Sequence, residues 1–266
     1  MDSLINDAKS AWKREGLLYV IKTAPGHLIR KYGPYGVPLT SRPATRNGVV
    51  VEKKRYPNDY HLPTYEQALS SLHTTVTKSG DTVAIVGGGY GVSAFHAAHS
   101  TDHSGKIIIY EADGNRINTL AEVAKRYEFE NYVELNNGIV GPEIRVKSAP
   151  GNNMAISDLP ECDVLELDCE GAEYNILSGM EIRPRDLFIE IHPNHRQIND
   201  KVPDLLDELG YVIHQHFRDS GKKITEEQFN DIMEYDYTND DGPIKTKNGI
   251  NPPVVWARKQ SFIESG

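Results

Sequence analysis

Cysteine is scarce in this sequence, which has two, Cys162 and Cys169, among 266 residues. Two cysteines cannot build a disulfide framework or a cysteine zinc site, so we expect both to be reduced, buried thiols. Long apolar runs are missing as well: none approaches the roughly 18 residues of a membrane-spanning helix, and the mean hydropathy is −0.51. The N-terminus has no secretory pattern, because its apolar burst, LLYVI, is short and flanked by basic residues. We therefore expect a soluble, cytoplasmic protein.

Positive charge is also in short supply, since the net charge is −9 and the pI is near 5.6. Only residues 1–62 have an excess of positive charge, with eleven Lys/Arg and five Asp/Glu (net +6), whereas the remainder holds 18 Lys/Arg and 33 Asp/Glu (net −15). An acidic chain without a stripe of basic and aromatic residues argues against a nucleic-acid partner.

Apolar residues recur at helical spacing in the basic N-terminal stretch: Leu4, Ile5, Ala8, Ala11, Trp12, Leu17 and Leu18. The pattern predicts an amphipathic helix, and such helices most often pack on their own domain or on a second subunit. The alternative is peripheral contact with an anionic membrane surface, at the inner face of the membrane. The sequence leaves the oligomeric state open.

The rest of the chain has the pattern of one α/β domain. An irregular segment rich in proline and glycine turns includes the strand VVVEKK after an Asn-Gly turn. Thr64 and Gln67 then form a potential capping box for a helix. From there predicted strands and helices alternate, which is typical of βαβ units and a parallel, doubly wound sheet. We expect an irregular, basic N-terminal extension over residues 1–62 and an α/β domain over residues 63–266.

The last predicted elements depart from this alternation. A hairpin is expected at residues 143–157. The final strand, VVWARK, returns without a helical crossover, so it should run antiparallel to its neighbour and form a terminal hairpin. The segment before this strand, residues 218–253, is longer than an ordinary loop, which rarely exceeds about 12 to 15 residues. It contains a helix with a capping box at Thr225 and Gln228, which favours a lid or substrate wall over disorder.

A glycine-rich loop, VGGGYG, follows the strand DTVAIV and precedes a helix, so it brings bare backbone amides and a helix N-terminus up to a ligand. Gly89 and Gly91 with Ala94 satisfy the dinucleotide fingerprint, whereas Gly87, Gly89 and Gly91 form the tighter run of methyl-donor sites. Glu111, twenty positions after Gly91, can accept both hydroxyls of an NAD ribose or of an adenosyl ribose. These residues predict an adenosine ribose and leave the rest of the ligand open.

Two features favour a methyl donor over a dinucleotide. A dehydrogenase of this type usually needs a second domain to bring its substrate to the nicotinamide, and little chain remains to build one. The antiparallel terminal hairpin belongs to the methyltransferase version of the doubly wound sheet.

The sequence also resembles the FkbM-type S-adenosylmethionine-dependent methyltransferases between Thr64 and Pro193. The matching motifs, in the family's order, are VGGGYG, YEADGNRINTL, VELNNGIVG, DVLELDCEGAEYNILSGM and IEIHP. The string D-x-E-G-A-E, which runs from Asp168 to Glu173, is the most specific of them. The resemblance implies a Rossmann-like class I methyltransferase sheet, mostly parallel with an antiparallel terminal hairpin, and S-adenosylmethionine as cofactor.

The resemblance also implies roles for individual residues. Glu111 would bind the ribose hydroxyls, the three loop glycines would line the methionine and ribose, and Asn137 would lie near the adenine. Asn137 could equally be a turn residue, because asparagine adopts turns readily. The acid that often precedes the glycine loop in the family is Ile85 here, so the methionine end must be held by backbone or by other side chains.

Acidic and histidine side chains follow the fourth and fifth predicted strands, at the sheet edge where ligands of open α/β sheets bind. Residues two apart on a strand share a face, so Asp168 and Glu170 can converge, as can Glu190 and His192. Asp168 or His192 could be a general base for methyl transfer. Asp168, Glu170 and His192 could instead hold a divalent metal. In a purely structural interpretation, Glu170 caps the following helix and His192 bonds a loop backbone.

The family resemblance implies oxygen methylation of natural products, sugars or glycans, including hexuronic acids of archaeal surface N-glycans. A basic N-terminal third beside an acidic body is compatible with an anionic sugar carried on a membrane lipid. Two other functions stay open: an NAD(P)-dependent oxidoreductase, which shares the glycine loop and Glu111, and a non-catalytic adenosyl-binding module, which the residue at position 85 would allow.

Overall fold

The computed structural model describes residues 42–54, 61–141, 151–192, 199–233, 235–236, 245–246 and 252–264. The chain divides into two compact units, Met1–Ala44 with Lys53–Tyr60 and Thr45–Glu52 with His61–Gly266. The amphipathic helix expected near the N-terminus lies outside the described residues. Part of the segment 218–253, which is expected to form a lid, also lies outside the described residues. The largest sheet lies in the second unit.

The described residues form fourteen strands and seven α-helices. The strands are β1 (Arg42–Arg46), β2 (Val49–Lys54), β3 (His61–Leu62), β4 (Thr82–Val86), β5 (Lys106–Glu111), β6 (Val133–Val140), β7 (Asn152–Met154), β8 (Val164–Leu167), β9 (Asp186–Glu190), β10 (Tyr211–Arg218), β11 (Lys223–Ile224), β12 (Tyr235–Asp236), β13 (Lys245–Thr246) and β14 (Pro253–Lys259). The helices are α1 (Gln67–Val76), α2 (Val92–Ser100), α3 (Gly114–Arg126), α4 (Glu173–Gly179), α5 (Val202–Glu208), α6 (Glu226–Met233) and α7 (Gln260–Ile263). Short 3-10 helices cover Ile156–Asp158 and Asn199–Lys201.

A nine-stranded sheet organises the unit, with strand order β11-β10-β14-β9-β8-β4-β5-β6-β7. Neighbouring strands from β9 through β7 in this order are all parallel. Strand β14 lies between β9 and β10 and runs antiparallel to both. The predicted fold, a doubly wound class I methyltransferase sheet with an antiparallel terminal hairpin, is confirmed. The order reverses at β4, which lies between β5 and β8, and ligands of such sheets bind at the reversal.

The central strands are buried on both faces. All residues of β8 and β9 are buried, as are the last four of β4 and the last five of β5. Near-continuous burial is expected of parallel strands that carry helices on both faces. The outer strands β6 and β10 mix exposed and buried positions.

A buried carboxylate ties β9 to the terminal hairpin. Asp186 begins β9 and is fully buried. It accepts hydrogen bonds from Trp256 Nε1 (2.9 Å) and Arg258 Nε (2.8 Å) on β14, and from Arg185 Nε (2.8 Å). The two arginine charges balance the buried carboxylate, so the end of the hairpin is held by ionic contacts as well as by the strand ladder.

Two predicted capping boxes have opposite outcomes. At α6, Gln228 N donates to Thr225 Oγ1 and Thr225 N donates to Gln228 Oε1, each at 3.2 Å, as predicted. The box at Thr64 and Gln67 is wrong, because α1 begins only at Gln67 after Glu66 in the left-handed conformation, with φ 47°. The N-cap residue is therefore Glu66 and not Thr64, and it makes no side-chain cap bond.

The hairpin predicted for residues 143–157 falls partly outside the described residues. Its second half forms β7, which pairs with β6 in a parallel and not an antiparallel manner. Among the described residues, no helix combines the length and apolar character needed to cross a membrane.

Candidate active site

The glycine loop connects β4 to α2 at the point where the sheet order reverses. Gly87 and Gly91 both have positive φ (100° and 80°), and a Cβ on either would collide with its surroundings: 1.8 Å from the Asp168 carbonyl oxygen and 2.8 Å from the Leu120 side chain. These two glycines allow the loop to pack closely against β8 and α3. Gly89, with φ 52°, differs from these two. A Cβ at Gly89 would face polar groups, the nearest of which is Glu66 Oε1 at 3.2 Å.

Glu111 ends β5 beside this loop and is buried. Its carboxylate accepts hydrogen bonds from Gly89 N (2.8 Å) and Asp113 N (2.7 Å). Burial raises the pKa of Glu111, and these two bonds partly oppose the shift. A carboxylate offers about four acceptor positions, so two remain for the hydroxyls of a ribose. The arrangement therefore fits the ribose-binding role that was predicted for Glu111, and it also fixes the loop.

Asn137, near the middle of β6, is exposed. Its Nδ2 donates to the carbonyl oxygens of Glu111 (2.9 Å) and Ala112 (3.4 Å). The side chain thereby orders the turn that follows β5. A role beside the adenine stays a prediction.

Three ionisable groups meet at the carboxyl ends of β8 and β9. Asp168 follows β8, Glu190 ends β9, and His192 lies two residues further on. Their ligand atoms all lie within 4.8 Å of one another. His192 Nε2 is 3.6 Å from Asp168 Oδ1 and 3.6 Å from Glu190 Oε1. We call these three residues the acid-histidine cluster.

Glu170 lies outside this cluster, although the sequence pattern placed it there. Strand β8 ends at Leu167, so the alternation of faces does not continue to Glu170, which is exposed and has φ 57°. The second carboxylate of the cluster is that of Glu190 and not that of Glu170. The helix-capping alternative is not seen either, because α4 has Ala172 at its N-cap and no side-chain cap bond. A catalytic role for Glu170 stays a prediction.

A third carboxylate, which the sequence pattern did not single out, orients the histidine. Glu173 is fully buried in the first turn of α4, and its Oε1 lies 2.9 Å from His192 Nδ1. Asn199 Nδ2 donates to Glu173 Oε2 and to the carbonyl oxygen of His192. Glu173 is the last residue of the D-x-E-G-A-E string, so that motif contained the signal, but its spacing did not reveal a contact with His192.

The electrostatics of the cluster depend on burial and on this pairing. Burial lowers the pKa of His192, but the hydrogen bond to Glu173 and the charges of Glu173, Glu190 and Asp168 outweigh it and raise the pKa well above its usual value. Burial raises the pKa of Asp168 to about 7, with His192 opposing the shift. Burial and the charge of Asp168 raise the pKa of Glu190. A carboxyl group that titrates near neutral pH is suited to accept a proton in catalysis.

The same donor set also fits a divalent cation. Two carboxylate oxygens and one imidazole nitrogen are ligands that several divalent metals accept. The bond from His192 Nδ1 to Glu173 resembles the outer contacts that orient metal-bound histidines. Geometry alone therefore allows either a proton or a cation between these groups.

Comparison with known proteins gives a family for part of the chain. Residues 154–218 match the family model described as the methyltransferase FkbM domain. This segment is about a quarter of the sequence and includes the acid-histidine cluster and Glu173, while the glycine loop precedes it. No curated protein matches the chain.

Solved structures with a similar fold include several methyltransferases. One is P. horikoshii TYW2 in complex with MeSAdo, 15% identical, covering 84% of this chain and 72% of that chain with a TM-score of 0.49. Another is a SAM-dependent O-methyltransferase from Thermotoga maritima, 16% identical, covering 73% and 65% with a TM-score of 0.44. A third is precorrin-6y C5,15-methyltransferase from Geobacter metallireducens, 12% identical, covering 73% and 88% with a TM-score of 0.44.

The family match and the strand order agree with the resemblance noted from the motifs. The FkbM segment carries the carboxyl ends of β8 and β9, and the sheet that holds it has the class I methyltransferase order. Residues 154–218 therefore carry an FkbM methyltransferase segment, which supports an S-adenosylmethionine-dependent methyltransferase.

Proposed function

We propose that this methyltransferase acts on an oxygen atom of a sugar, such as a hexuronic acid in a surface N-glycan or in its lipid-linked precursor. The observation that carries the proposal is the position of the acid-histidine cluster. The backbone of Asp168 touches Gly87 so closely that a Cβ there would lie 1.8 Å from the Asp168 carbonyl oxygen. A proton acceptor therefore adjoins the glycine loop.

Methyl transfer to oxygen is an in-line displacement, in which alignment of the acceptor is the main requirement. When bound, S-adenosylmethionine supplies a methyl group on a good leaving group, its sulfonium sulfur. Asp168 would accept the proton of an acceptor hydroxyl as the new oxygen–methyl bond forms and the sulfur–methyl bond breaks. His192, held by Glu173 at 2.9 Å, would keep its positive charge beside Asp168 and Glu190. General base catalysis of this kind typically contributes about a hundredfold to ten-thousandfold.

The cluster favours a hydroxyl over a carboxylate as the acceptor. A carboxylate has no proton to lose at neutral pH, so its methylation needs no base. A hydroxyl must lose a proton, and burial gives Asp168 a pKa of about 7, which is suited to that step. We therefore place the methylated atom on a hydroxyl of the sugar in preference to its carboxyl group.

Ligand-dependent thermal unfolding tests the donor and its rivals together. S-Adenosylhomocysteine, S-adenosylmethionine, NAD and NADP are compared at saturating concentration. A ligand at a hundred times its Kd stabilises the folded state by about 2.7 kcal/mol, and we expect this only with the two adenosyl sulfur compounds. Stabilisation by NAD or NADP alone would support the oxidoreductase instead.

An acceptor screen tests the chemistry. Uronic acids, neutral sugars and glycans are incubated with labelled S-adenosylmethionine, and methyl incorporation is measured. We expect incorporation into hydroxyl groups of uronic acid acceptors. Donor binding without turnover on any of them would favour a non-catalytic adenosyl-binding module.

Dialysis against EDTA separates the two chemistries of the cluster. Lost activity that Mg²⁺ or Mn²⁺ restores would assign a metal, and retained activity would assign the protein's own base.

The basic N-terminal segment suggests how an anionic acceptor would be held. Residues 1–62 have a net charge of +6 within a chain of net charge −9. Opposite charge raises the local concentration of an anionic substrate and speeds its association. We expect removal of residues 1–41, which hold six Lys/Arg and three Asp/Glu and precede β1, to weaken activity on a lipid-linked uronic acid glycan far more than on a free monosaccharide. Equal activity of the two forms on the lipid-linked glycan would exclude this role.

A further inference from the structure

The residue before the glycine loop raises a problem for donor binding. Position 85 is an isoleucine and is fully buried, so the sheet offers no carboxylate there for the positive ammonium group of the donor's methionine part. Two buried glutamates lie near this point of the fold. One is Glu166, on the neighbouring strand, and the other is Glu66, at the start of α1.

Glu166 is already fully engaged. It stands directly opposite Ile85 in the register of β4 and β8. Its Oε2 is 2.7 Å from His73 Nε2, and its Oε1 accepts a hydrogen bond from Ser93 Oγ at 2.7 Å. Both oxygens thus serve a closed, buried network with 0% exposure of the residue. Glu166 stabilises the packing of α1 and α2 on the sheet and is not available to a ligand.

Glu66 is placed differently, over the glycine loop itself. Its Oε2 accepts a hydrogen bond from Ser93 N at 3.3 Å. Its Oε1 lies 3.2 Å from the point where Gly89 would carry a Cβ. The Tyr65 hydroxyl, hydrogen-bonded to the same carboxylate, is 3.8 Å from that point. The carboxylate of Glu66 therefore faces the backbone of Gly89. Because Gly89 has no side chain, the space between them stays open.

The surroundings of the Glu66 carboxylate favour the binding of a positively charged group. The residue is 6% exposed, and within the described part of the chain no basic side chain forms an ion pair with it. Burial and the charge of Asp168 raise the pKa of Glu66 well above its ordinary value. Its backbone is also in the left-handed region, with φ 47°, which is uncommon for a residue with a side chain. Strained backbone and ionisable groups with perturbed pKa values both concentrate at functional sites.

We propose that Glu66 binds the ammonium group of the donor's methionine part, in place of the acid that is absent at position 85. The inference rests on the proposed use of S-adenosylmethionine as donor. A bound ammonium would balance the carboxylate and would lie between Glu66 and the Gly89 backbone. Tyr65 would help to hold the carboxylate in position through its hydroxyl group.

Three probes separate the parts of the donor. S-Adenosylhomocysteine has the adenosine, the sulfur and the whole amino acid, its deaminated analogue lacks only the ammonium group, and 5′-methylthioadenosine lacks the amino-acid part. Their affinities are measured by isothermal titration calorimetry with the full chain and with Glu66→Gln. The matched control is Glu128→Gln, which changes a second glutamate of positive φ (60°) that is exposed.

The expected result is selective. Glu66→Gln should weaken S-adenosylhomocysteine about tenfold or more, as expected for a charged hydrogen bond, and should leave the deaminated analogue and 5′-methylthioadenosine within about twofold. Glu128→Gln should change none of them. In the unaltered protein the deaminated analogue should bind about tenfold more weakly than S-adenosylhomocysteine, a comparison that does not depend on the variant folding.

Two kinds of result would overturn the inference. Equal affinity of S-adenosylhomocysteine and its deaminated analogue in the unaltered protein would show that the ammonium has no anionic partner. An equal loss of all three ligands in Glu66→Gln would show that Glu66 only shapes the loop. If the unaltered protein binds none of the three, the donor assignment itself fails, which distinguishes that outcome from failure of the role of Glu66.

Discussion

His192 Nδ1 lies 2.9 Å from Oε1 of the buried Glu173. The contact joins the segment after β9 to the first turn of α4 and leaves His192 Nε2 facing Asp168 and Glu190, 3.6 Å from each. One carboxylate thus orients the imidazole toward two others. The contact also affects the charge of His192, because the hydrogen bond to Glu173 is among the interactions that raise the pKa of the imidazole.

Replacing Glu173 with glutamine should lower the pKa of His192. The variant keeps a hydrogen-bonding group of the same size but removes the charge, and loss of a close opposite charge shifts a pKa by about 1 to 3 units. We expect the imidazole, followed by NMR and assigned through a His192→Asn spectrum, to titrate at lower pH. The exposed Glu181→Gln is the control. An unchanged His192 titration would mean that the contact with Glu173 does not set its charge.

The pH dependence of the reaction should report Asp168. Burial raises the pKa of its carboxyl group to about 7, and only the ionised form can accept a proton. The value of kcat/KM should therefore rise about tenfold per pH unit below 7 and level off above it, since kcat/KM reports the free enzyme. Asp168→Asn should lose this limb along with about a hundredfold or more of activity. A flat profile between pH 5 and 8 in the unaltered enzyme would remove Asp168 as the base.

The close approach of β8 to the glycine loop makes Gly87 intolerant of any side chain. An alanine Cβ would lie 1.8 Å from the Asp168 carbonyl oxygen, and the backbone has φ 100°. We expect Gly87→Ala to lower the free energy of unfolding by about 3 kcal/mol or more. Gly80→Ala is the control, because φ is 81° there but nothing lies within 4 Å, so only the backbone cost of about 1 to 2 kcal/mol applies. Equal losses in denaturant unfolding would contradict the steric argument.

Glu111 and Glu66 should differ in which ligands they affect. Glu111 accepts hydrogen bonds from the amides of Gly89 and Asp113 and retains acceptor positions for a ribose. Glu111→Gln should therefore weaken S-adenosylhomocysteine and 5′-methylthioadenosine alike, by about tenfold to a hundredfold, because both carry the ribose. Calorimetric titration of the two ligands checks this. Loss of S-adenosylhomocysteine alone would place Glu111 at the amino-acid end of the donor instead.

Asp186 should be important for stability and not for chemistry. Its buried carboxylate receives hydrogen bonds from Trp256, Arg258 and Arg185. Asp186→Ala leaves these donors unsatisfied and should lower the free energy of unfolding by about 3 to 5 kcal/mol. The exposed Asp207→Ala should change it by less than about 0.5 kcal/mol. Urea unfolding measures both, and similar values for the two variants would mean that the buried ion cluster adds little.

Much of the fold follows from local patterns. The capping box at Thr225 and Gln228, the strand VVVEKK and the alternation of strands and helices all appear as predicted. These features depend on hydrogen bonds and side-chain periodicity within a few residues, which the sequence shows directly, although the equally local box at Thr64 and Gln67 does not form. The antiparallel final strand was predictable for a similar reason, since a connection without a crossover leaves no other direction.

The candidate site was only partly predictable. The sequence placed Asp168 and His192 at one edge of the sheet, because the carboxyl ends of parallel strands meet there. It did not show that the strand ends before Glu170, which gives Glu190 the third place, nor that Glu173 turns back toward His192. Those contacts depend on where a strand stops and how the chain turns afterwards.

Composition, periodicity and motif order determined that this chain forms a doubly wound sheet with a glycine loop and an acidic strand end suited to a methyl donor. Only the tertiary structure decided which carboxylates converge and which of them are already paired. Glu166 and Glu66 are both buried acids near the loop, yet both oxygens of Glu166 are engaged, by His73 and the Ser93 hydroxyl, while Glu66 accepts from Ser93 N through Oε2 and faces Gly89 with Oε1. The reason is physical: the charge and reach of a side chain are local properties, but its partners come from segments distant in sequence that packing brings together.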